Sequence, residues 1–170
     1  MHLIISCSLN PSSKSRMMAE FAYNLYCKDA KFIDLQKIKI PMCDGDLCYN
    51  DPIVDILKID IQNASSILLA GPIYNYDLNA ASKNLLELTG SAWDDKLVGF
   101  ICAAGGKSSY MSPMSFANSL MLDFRCIIIP RFVYADKTCF SNGKINSKTK
   151  DRIEELVDAS IHLSKAFIKE

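Results

Sequence analysis

The stretch Ser6-Cys7-Ser8-Leu9-Asn10-Pro11-Ser12-Ser13-Lys14-Ser15-Arg16 decides how this chain folds and points to its chemistry. It follows a short apolar segment, Leu3 to Ile5, and precedes another, Met17 to Tyr26, whose apolar residues recur at helical spacing. A strand, a hydroxyl-rich loop and a helix start, in that order, make an anion site. The loop offers backbone N–H groups and short hydroxyl donors, and the helix N-terminus adds unpaired N–H groups and a partial positive charge. The expected occupant is a phosphate monoester. A Ser-rich loop can equally be a set of caps and turns, because Ser and Asn bond their own backbone. The stretch holds no Gly-x-Gly-x-x-Gly and no Walker lysine motif, so neither a dinucleotide fingerprint nor a nucleoside-triphosphate loop is indicated.

Working outward, 170 residues of which 49% are hydrophobic fit one globular domain over 1–170, with a sizeable core. Nineteen basic residues balance nineteen acidic ones, which gives no electrostatic reason to expect nucleic acid or an anionic membrane surface. The apolar runs Ile67 to Ala70 and Val98 to Ala104 are too short to span a bilayer, and the N-terminus reads as no secretory signal. The cysteine count is seven and odd, without a Cys-x-x-Cys pair, and His2 and His162 have no partners at metal-site spacing. No metal site is expected. Free thiols in a reducing cytoplasm, mostly packed as small hydrophobes, are the simplest account. Cys43 and Cys48 stand apart in a polar loop, with a redox or cluster-binding pair as the minor alternative.

The pattern then alternates. Leu3 to Ser6 and Lys31 to Leu35 are predicted strands, with Met17, Met18, Phe21, Ala22 and Leu25 on one face of the helix between them. Asp51 and Pro52 are suited to the N-cap and first turn of a second helix, whose stripe is Ile53, Ile56, Leu57, Ile61 and Ala64. Ile67 to Ala70 is a strand ended by Gly71 and Pro72, and Ala80 to Leu88 a third helix. Leu97 to Ala103 is a fourth strand and Pro113 to Phe124 a fourth helix. Cys126 to Ile129 with Phe132 to Tyr134 make a fifth strand interrupted at Pro130. The last helix buries Ile153, Leu156, Val157, Ser160, Ile161 and Phe167. Apolar strands separated by helices predict an α/β three-layer sandwich. Five parallel strands with helices on both faces suit the flavodoxin-like order 2-1-3-4-5.

In such a sheet the ligand lies beyond the C-terminal strand ends, at the switch point between the first and third strands. Three loops should meet there: Cys7 to Arg16, Pro72 to Asn79 and Ala104 to Ser112. The second carries Tyr74, Asn75 and Tyr76 where a short polar turn would suffice, and the third opens on Gly105 and Gly106. Each alone reads as ordinary packing or a plain turn. Together they suit a flat heteroaromatic ligand with a phosphate tail.

The pieces Ile5-Ser6-Cys7-Ser8-Leu9 through Ser13, Ser15 and Arg16, then Gly71-Pro72-Ile73-Tyr74-Asn75, then Ala81-Ser82-Lys83-Asn84-Leu85-Leu86, and finally Ala104-Gly105-Gly106 resemble the NADPH-dependent FMN reductase family. The resemblance covers about residues 1 to 135 and implies bound FMN, NAD(P)H as co-substrate, and a homodimer or homotetramer. Carried over by position, Ser8, Asn10, Ser13 and Ser15 should surround the phosphate. Pro72, Ile73, Tyr74, Asn75 and Tyr76 should meet the isoalloxazine and ribityl. Gly105, Gly106, Lys107 and Ser108 should approach the other ring edge. Arg16 should either add charge to the phosphate or face solvent. Cys7 stands where many members have glycine, Asn10 where many have arginine, and Ile73 where one branch often has glutamate.

The implied reaction is hydride transfer from a dihydronicotinamide to the flavin and on to a small acceptor: free flavin, a quinone, an azo compound or a metal ion. The cofactor carries that chemistry, so no catalytic side chain is assigned, and His2 and His162 are expected to be structural. A non-enzymatic flavodoxin-type carrier and a flavin-binding regulatory protein are the alternatives; balanced charge argues against the carrier, which docks by charge.

Overall fold

The first strand explains the architecture. In the computed structural model, which describes residues 1–167, β1 (His2–Ser6) is buried at every position. Leu3 and Ile5 face one core cluster and Ile4 the other, the period-two alternation of a strand covered on both faces. The remaining elements follow in order as α1 (Lys14–Leu25), β2 (Ala30–Asp34), α2 (Pro52–Gln62), β3 (Ser66–Tyr74), β4 (Asp77–Leu78), α3 (Ala80–Thr89) and β5 (Leu97–Ala103). The chain continues through α4 (Pro113–Phe124), β6 (Ile127–Ile128), β7 (Val133–Ala135), β8 (Phe140–Ser141), β9 (Lys144–Ile145) and α5 (Ser147–Phe167).

The main sheet runs β2-β1-β3-β5-β6 with parallel neighbours; β7 also pairs parallel with β5, and β4 pairs antiparallel with β3. This is an α/β flavodoxin-like sheet, but it has seven strands rather than the expected five. The expected fifth strand is cut in two because Pro130 has no N–H to donate and Arg131 takes a left-handed φ of +64°. Its halves, β6 and β7, both lie against β5. The extra strand β4 arises because β3 does not stop at Gly71-Pro72. It continues to Tyr74 and turns back through Asn75 (φ +51°) and Tyr76 (φ +63°), a two-residue hairpin of the type that needs positive φ at both positions.

Helices α1 and α5 cover one face, with Met18, Ala22, Ile153 and Leu156 packed against Ile4, Leu68 and Ile101. The other face buries Leu57, Leu85, Trp93 and Phe116 against Leu3, Leu69 and Phe100. Gly99 lets α5 approach the sheet, since a Cβ there would lie 2.8 Å from Leu68 Cδ2 and 3.1 Å from Leu156 Cδ1. Asp51 caps α2 as expected, its carboxylate accepting from the Ile53 N–H at 3.0 Å. Some expected core positions differ. Val54 takes the buried place on α2 and Ile56 is exposed; on α5, Ile161 is half-buried and Phe167 exposed. His2 lies on β1 between β2 and β3, inside the sheet. It is buried, stacked on Tyr26, and its Nδ1 is 2.7 Å from Ser66 Oγ. His162 is exposed on α5, where Nδ1 donates to the Asp158 carbonyl at 2.7 Å.

Candidate functional site

The loop after β1 is held by its own short side chains. Ser8 Oγ accepts from the Asn10 N–H at 3.3 Å, and Asn10 Oδ1 accepts from the Ser12 N–H at 2.9 Å. Ser13 is the N-cap of α1: its Oγ accepts from the Arg16 N–H at 3.1 Å and lies 3.0 Å from Ser15 Oγ. The cap and turn account of this stretch is therefore correct, yet it does not exclude an anion site. The N–H groups of Lys14 and Ser15, in the first helical turn, have no intrahelical acceptor.

Beside this loop lies an open cleft of about 280 Å³. Ser8, Asn10, Ser12, Ser13, Lys14 and Ser15 form one end. Pro72, Ile73 and Tyr74, at the end of β3, line it together with Ala103, Ala104 and Gly105, at and just after the end of β5. The cleft thus sits where the C-terminal ends of β1, β3 and β5 meet, and the three loops singled out in the sequence each contribute to it.

Not every candidate residue lines it. Asn75 and Tyr76 form the exposed hairpin tip, and the Tyr76 hydroxyl donates to Ser108 Oγ at 3.4 Å, joining the second and third loops. The Gly106 carbonyl accepts from the Tyr134 hydroxyl. Lys107 lines a separate polar pocket with Tyr134, Asp136 and Arg152. Arg16 faces neither bulk solvent nor the cleft. Its guanidinium is 3.0 Å from the buried Asp34 carboxylate and 3.2 Å from Glu20, and it donates to Gln36 Oε1 at 3.2 Å. The positive side chain among the described residues lining the cleft is Lys14, 4.9 Å from the Phe140 ring centroid.

Sequence reasoning missed Asn79. Its Nδ2 donates to the Cys7 carbonyl at 2.8 Å, its Oδ1 accepts from Ser82 Oγ at 2.8 Å, and its N–H donates to the Pro72 carbonyl at 3.2 Å. One amide side chain thereby ties the first loop to the second. Gly71 makes room for it, since a Cβ there would lie 3.2 Å from Asn79 Oδ1. The Asn79 position just before a helix is an available signal, but it reads as a cap. Cys7 turns inward; burial pushes its thiol up to about 12, against a smaller opposing effect of Ser82, so it is no nucleophile at the cleft.

A family model described as NADPH-dependent FMN reductase matches residues 2–139. The chain belongs to that family. It is an NAD(P)H-dependent flavin oxidoreductase, with FMN as its cofactor. Among related chains, the NADPH:quinone oxidoreductase of Arabidopsis thaliana is 27% identical over 75% of this chain and 70% of its own length. The NADPH azoreductase of Bacillus sp. (strain OY1-2) is 22% identical over 91% of this chain and 87% of its own. Among solved structures, the flavoenzyme NAD(P)H:(acceptor) oxidoreductase of Paracoccus denitrificans superposes with a TM-score of 0.79 over 96% of both chains at 19% identity. An NADH:FMN oxidoreductase in its apo form superposes with a TM-score of 0.75 over 99% of this chain and 90% of its own at 17% identity. At such identities these structures speak for the fold.

The residues present fit the FMN reductase cofactor. The hydroxyl end of the cleft carries serine hydroxyls, one amide and one cation, with no carboxylate among the described residues lining it. The small Ala103, Ala104 and Gly105 leave a low wall, and a Cβ built on Gly105 meets nothing within 4 Å. That is open space into which a flat ring can come close to the backbone.

Proposed function

We propose that this cleft holds FMN, with the phosphate on the Ser8–Ser15 loop and the ring between the Ile73–Tyr76 hairpin and the Gly105–Ser108 turn. We further propose that the enzyme passes electrons from NAD(P)H to a quinone or an azo compound. The observation that carries this reading is the meeting of three separate loops at the ends of β1, β3 and β5 around one donor-lined cleft. When bound, the flavin accepts and donates the reducing equivalents itself. The chain's task is to bind and orient. The first-turn amides and the Ser13 and Ser15 hydroxyls stabilise the phosphate by hydrogen bonding, Asn79 holds the two loops in register, Tyr74 offers an exposed aromatic face at the cleft, and Tyr76 stands exposed at the hairpin tip beside it.

The acceptor class is supported by the relatives named quinone oxidoreductase and azoreductase. A homodimer or homotetramer is part of the proposal. Its support lies on α4, where Met114, Met121 and Leu122 are exposed. Seven free cysteines favour a reducing compartment, the cytoplasm. No helix among the described residues is long and apolar enough to cross a membrane. The decisive experiment is an absorption spectrum of purified protein loaded with FMN, followed by NADPH and NADH oxidation with a benzoquinone or an azo dye. Stoichiometric flavin uptake and turnover are expected; a colourless protein that takes up no FMN overturns the reading.

A further inference from the structure

The segment between β2 and α2 carries two cysteines that the flavin chemistry does not use. It is a built loop rather than a loose connector. The Asn84 side chain, from α3, accepts from the Cys43 N–H at 2.8 Å and donates to the Pro41 carbonyl at 2.8 Å. Asp44 Oδ1 accepts from the Asp46 N–H at 2.9 Å and the Cys48 N–H at 3.1 Å, folding the chain back on itself between the two cysteines. Cys48 is buried in a small cluster with Val54 and Leu88, and Cys43 packs against that same cluster. The Cys43 sulfur is half-exposed and lies 3.6 Å from the Tyr49 hydroxyl. Cys43 and Cys48 are thus held against one small apolar cluster, and burial is the first cause raising the pKa of the Cys48 thiol.

We propose that Cys43 and Cys48 form a reversible disulfide when the protein meets a peroxide. The half-exposed Cys43 reacts first: its sulfur attacks one peroxide oxygen, the O–O bond breaks, Cys43 becomes a sulfenic acid, and water leaves when the oxidant is hydrogen peroxide. The Cys48 sulfur then attacks the Cys43 sulfur, expelling the sulfenic oxygen as a second water and closing the S–S bond. Overall the two thiols lose two electrons and two protons and the peroxide becomes two waters. The buried Cys48 is the resolving partner because it is shielded from the oxidant and belongs to the cluster against which Cys43 packs. Thiols in the reducing cytoplasm reverse the step, as for redox-sensing pairs there.

The test treats the full chain with one equivalent of hydrogen peroxide, counts thiols in denaturant and maps cross-links by mass spectrometry. Wild type should lose two of its seven thiols and the mass of two hydrogens, with the link between the Cys43 and Cys48 peptides, and dithiothreitol should restore both. Cys48→Ala should stop at a sulfenic acid on Cys43 that dimedone traps. Cys43→Ser, at the half-exposed position, should keep its remaining thiols at the same dose. A link that instead involves Cys27 or Cys139, or Cys43 over-oxidised in wild type while Cys48 stays free, overturns the proposal. None of these outcomes depends on flavin binding, so the proposal fails or stands apart from the assignment of the cleft.

Discussion

Ser13 has two tasks, and substitution separates them. Its oxygen caps α1 through the Arg16 N–H at 3.1 Å, and it lines the end of the cleft proposed to hold the phosphate. Ser13→Ala removes both. Loss of the cap costs about 1 kcal/mol, which for a chain of this size lowers the melting temperature of the apoprotein by about 2–4 °C. Loss of a donor to a charged phosphate costs about 1.5–3 kcal/mol, which raises the Kd for FMN roughly 10- to 150-fold. Ser13→Gly retains most of the cap, since glycine costs only a few tenths of a kcal/mol there. It should weaken FMN binding as much as Ser13→Ala while melting close to wild type. Ser13→Asp caps as well as serine and suits the positive helix end, so the apoprotein should melt no lower than wild type. Its carboxylate would lie beside the phosphate, a repulsion of about 4 kcal/mol at 4 Å near a protein surface, and FMN affinity should fall by about three orders of magnitude. The assays are quenching of FMN fluorescence on titration and thermal melts of the apoprotein. Wild-type FMN affinity in Ser13→Asp, or an affinity loss that follows melting temperature across the three variants, refutes the placement of the phosphate.

Gly71→Ala should destabilise the apoprotein by about 1–3 kcal/mol and weaken FMN binding, because the new Cβ presses on Leu78 Cδ2, Asn79 Oδ1 and Ser82 Oγ at 3.1–3.2 Å; urea melts and flavin titration read the two effects. Asn75→Gly keeps the left-handed turn and removes only the amide, so FMN affinity should fall about tenfold with an unchanged melt. Tyr76→Gly relieves a left-handed tyrosine at φ +63° and should raise apoprotein stability by about 1 kcal/mol, read by the same melts. His2 has its pKa lowered, mainly by burial against a smaller opposing effect of Asp29. The unfolded chain therefore binds more protons than the folded one below pH about 6.5. Its contribution is complete above that pH and is lost as the pH falls toward the depressed folded value. Chemical denaturation between pH 7.5 and 5 should show this slope, and His2→Gln should flatten it.

The residues that were legible in the sequence are those whose local signal and tertiary role agree. Leu3 to Ser6 and Leu97 to Ala103 read as buried strands because a parallel sheet covered on both faces favours near-continuous apolar runs. Pro113 and Asp51-Pro52 marked helix starts because the missing N–H and the capping carboxylate act within one turn. The errors fall where a residue type has two uses. Gly71 and Pro72 read as a strand terminator, whereas Gly71 is there to admit Asn79 and Pro72 sits in β3 with its carbonyl bonded to the Asn79 N–H. Asn75-Tyr76 escaped recognition as a hairpin because its second residue is a tyrosine where glycine is the usual signal. Arg16 was ambiguous because the acceptor that claims it, Asp34, lies at the end of β2, and only the folded sheet brings the two within 3.0 Å.

The same distinction separates placing a site from tuning it. Strand order alone puts the ends of β1, β3 and β5 side by side, so any sequence with this pattern acquires a crevice there. Topology does not hold two loops at a fixed distance, and here that falls to contacts between residues far apart in the chain. Asn79 reaches back 72 residues to the Cys7 carbonyl, and Tyr76 reaches forward 32 residues to Ser108. These bonds differ in strength of commitment. The Asn79 amide is buried and all its bonds are short, so removing it strands the Cys7 carbonyl and Ser82 hydroxyl, a loss of about 1–3 kcal/mol for each buried group left unpaired. The Tyr76 bond is exposed and long, and it closes a hairpin tip that is itself strained. The first coupling therefore fixes the hydroxyl-rich end of the cleft, where the phosphate is proposed to sit, relative to β3, while the second holds the Tyr76 hairpin tip by one weaker contact. On the proposed placement of FMN, that asymmetry would keep a rigid grip on the anionic tail while a mouth held by one exchangeable contact admits NAD(P)H and then a second substrate.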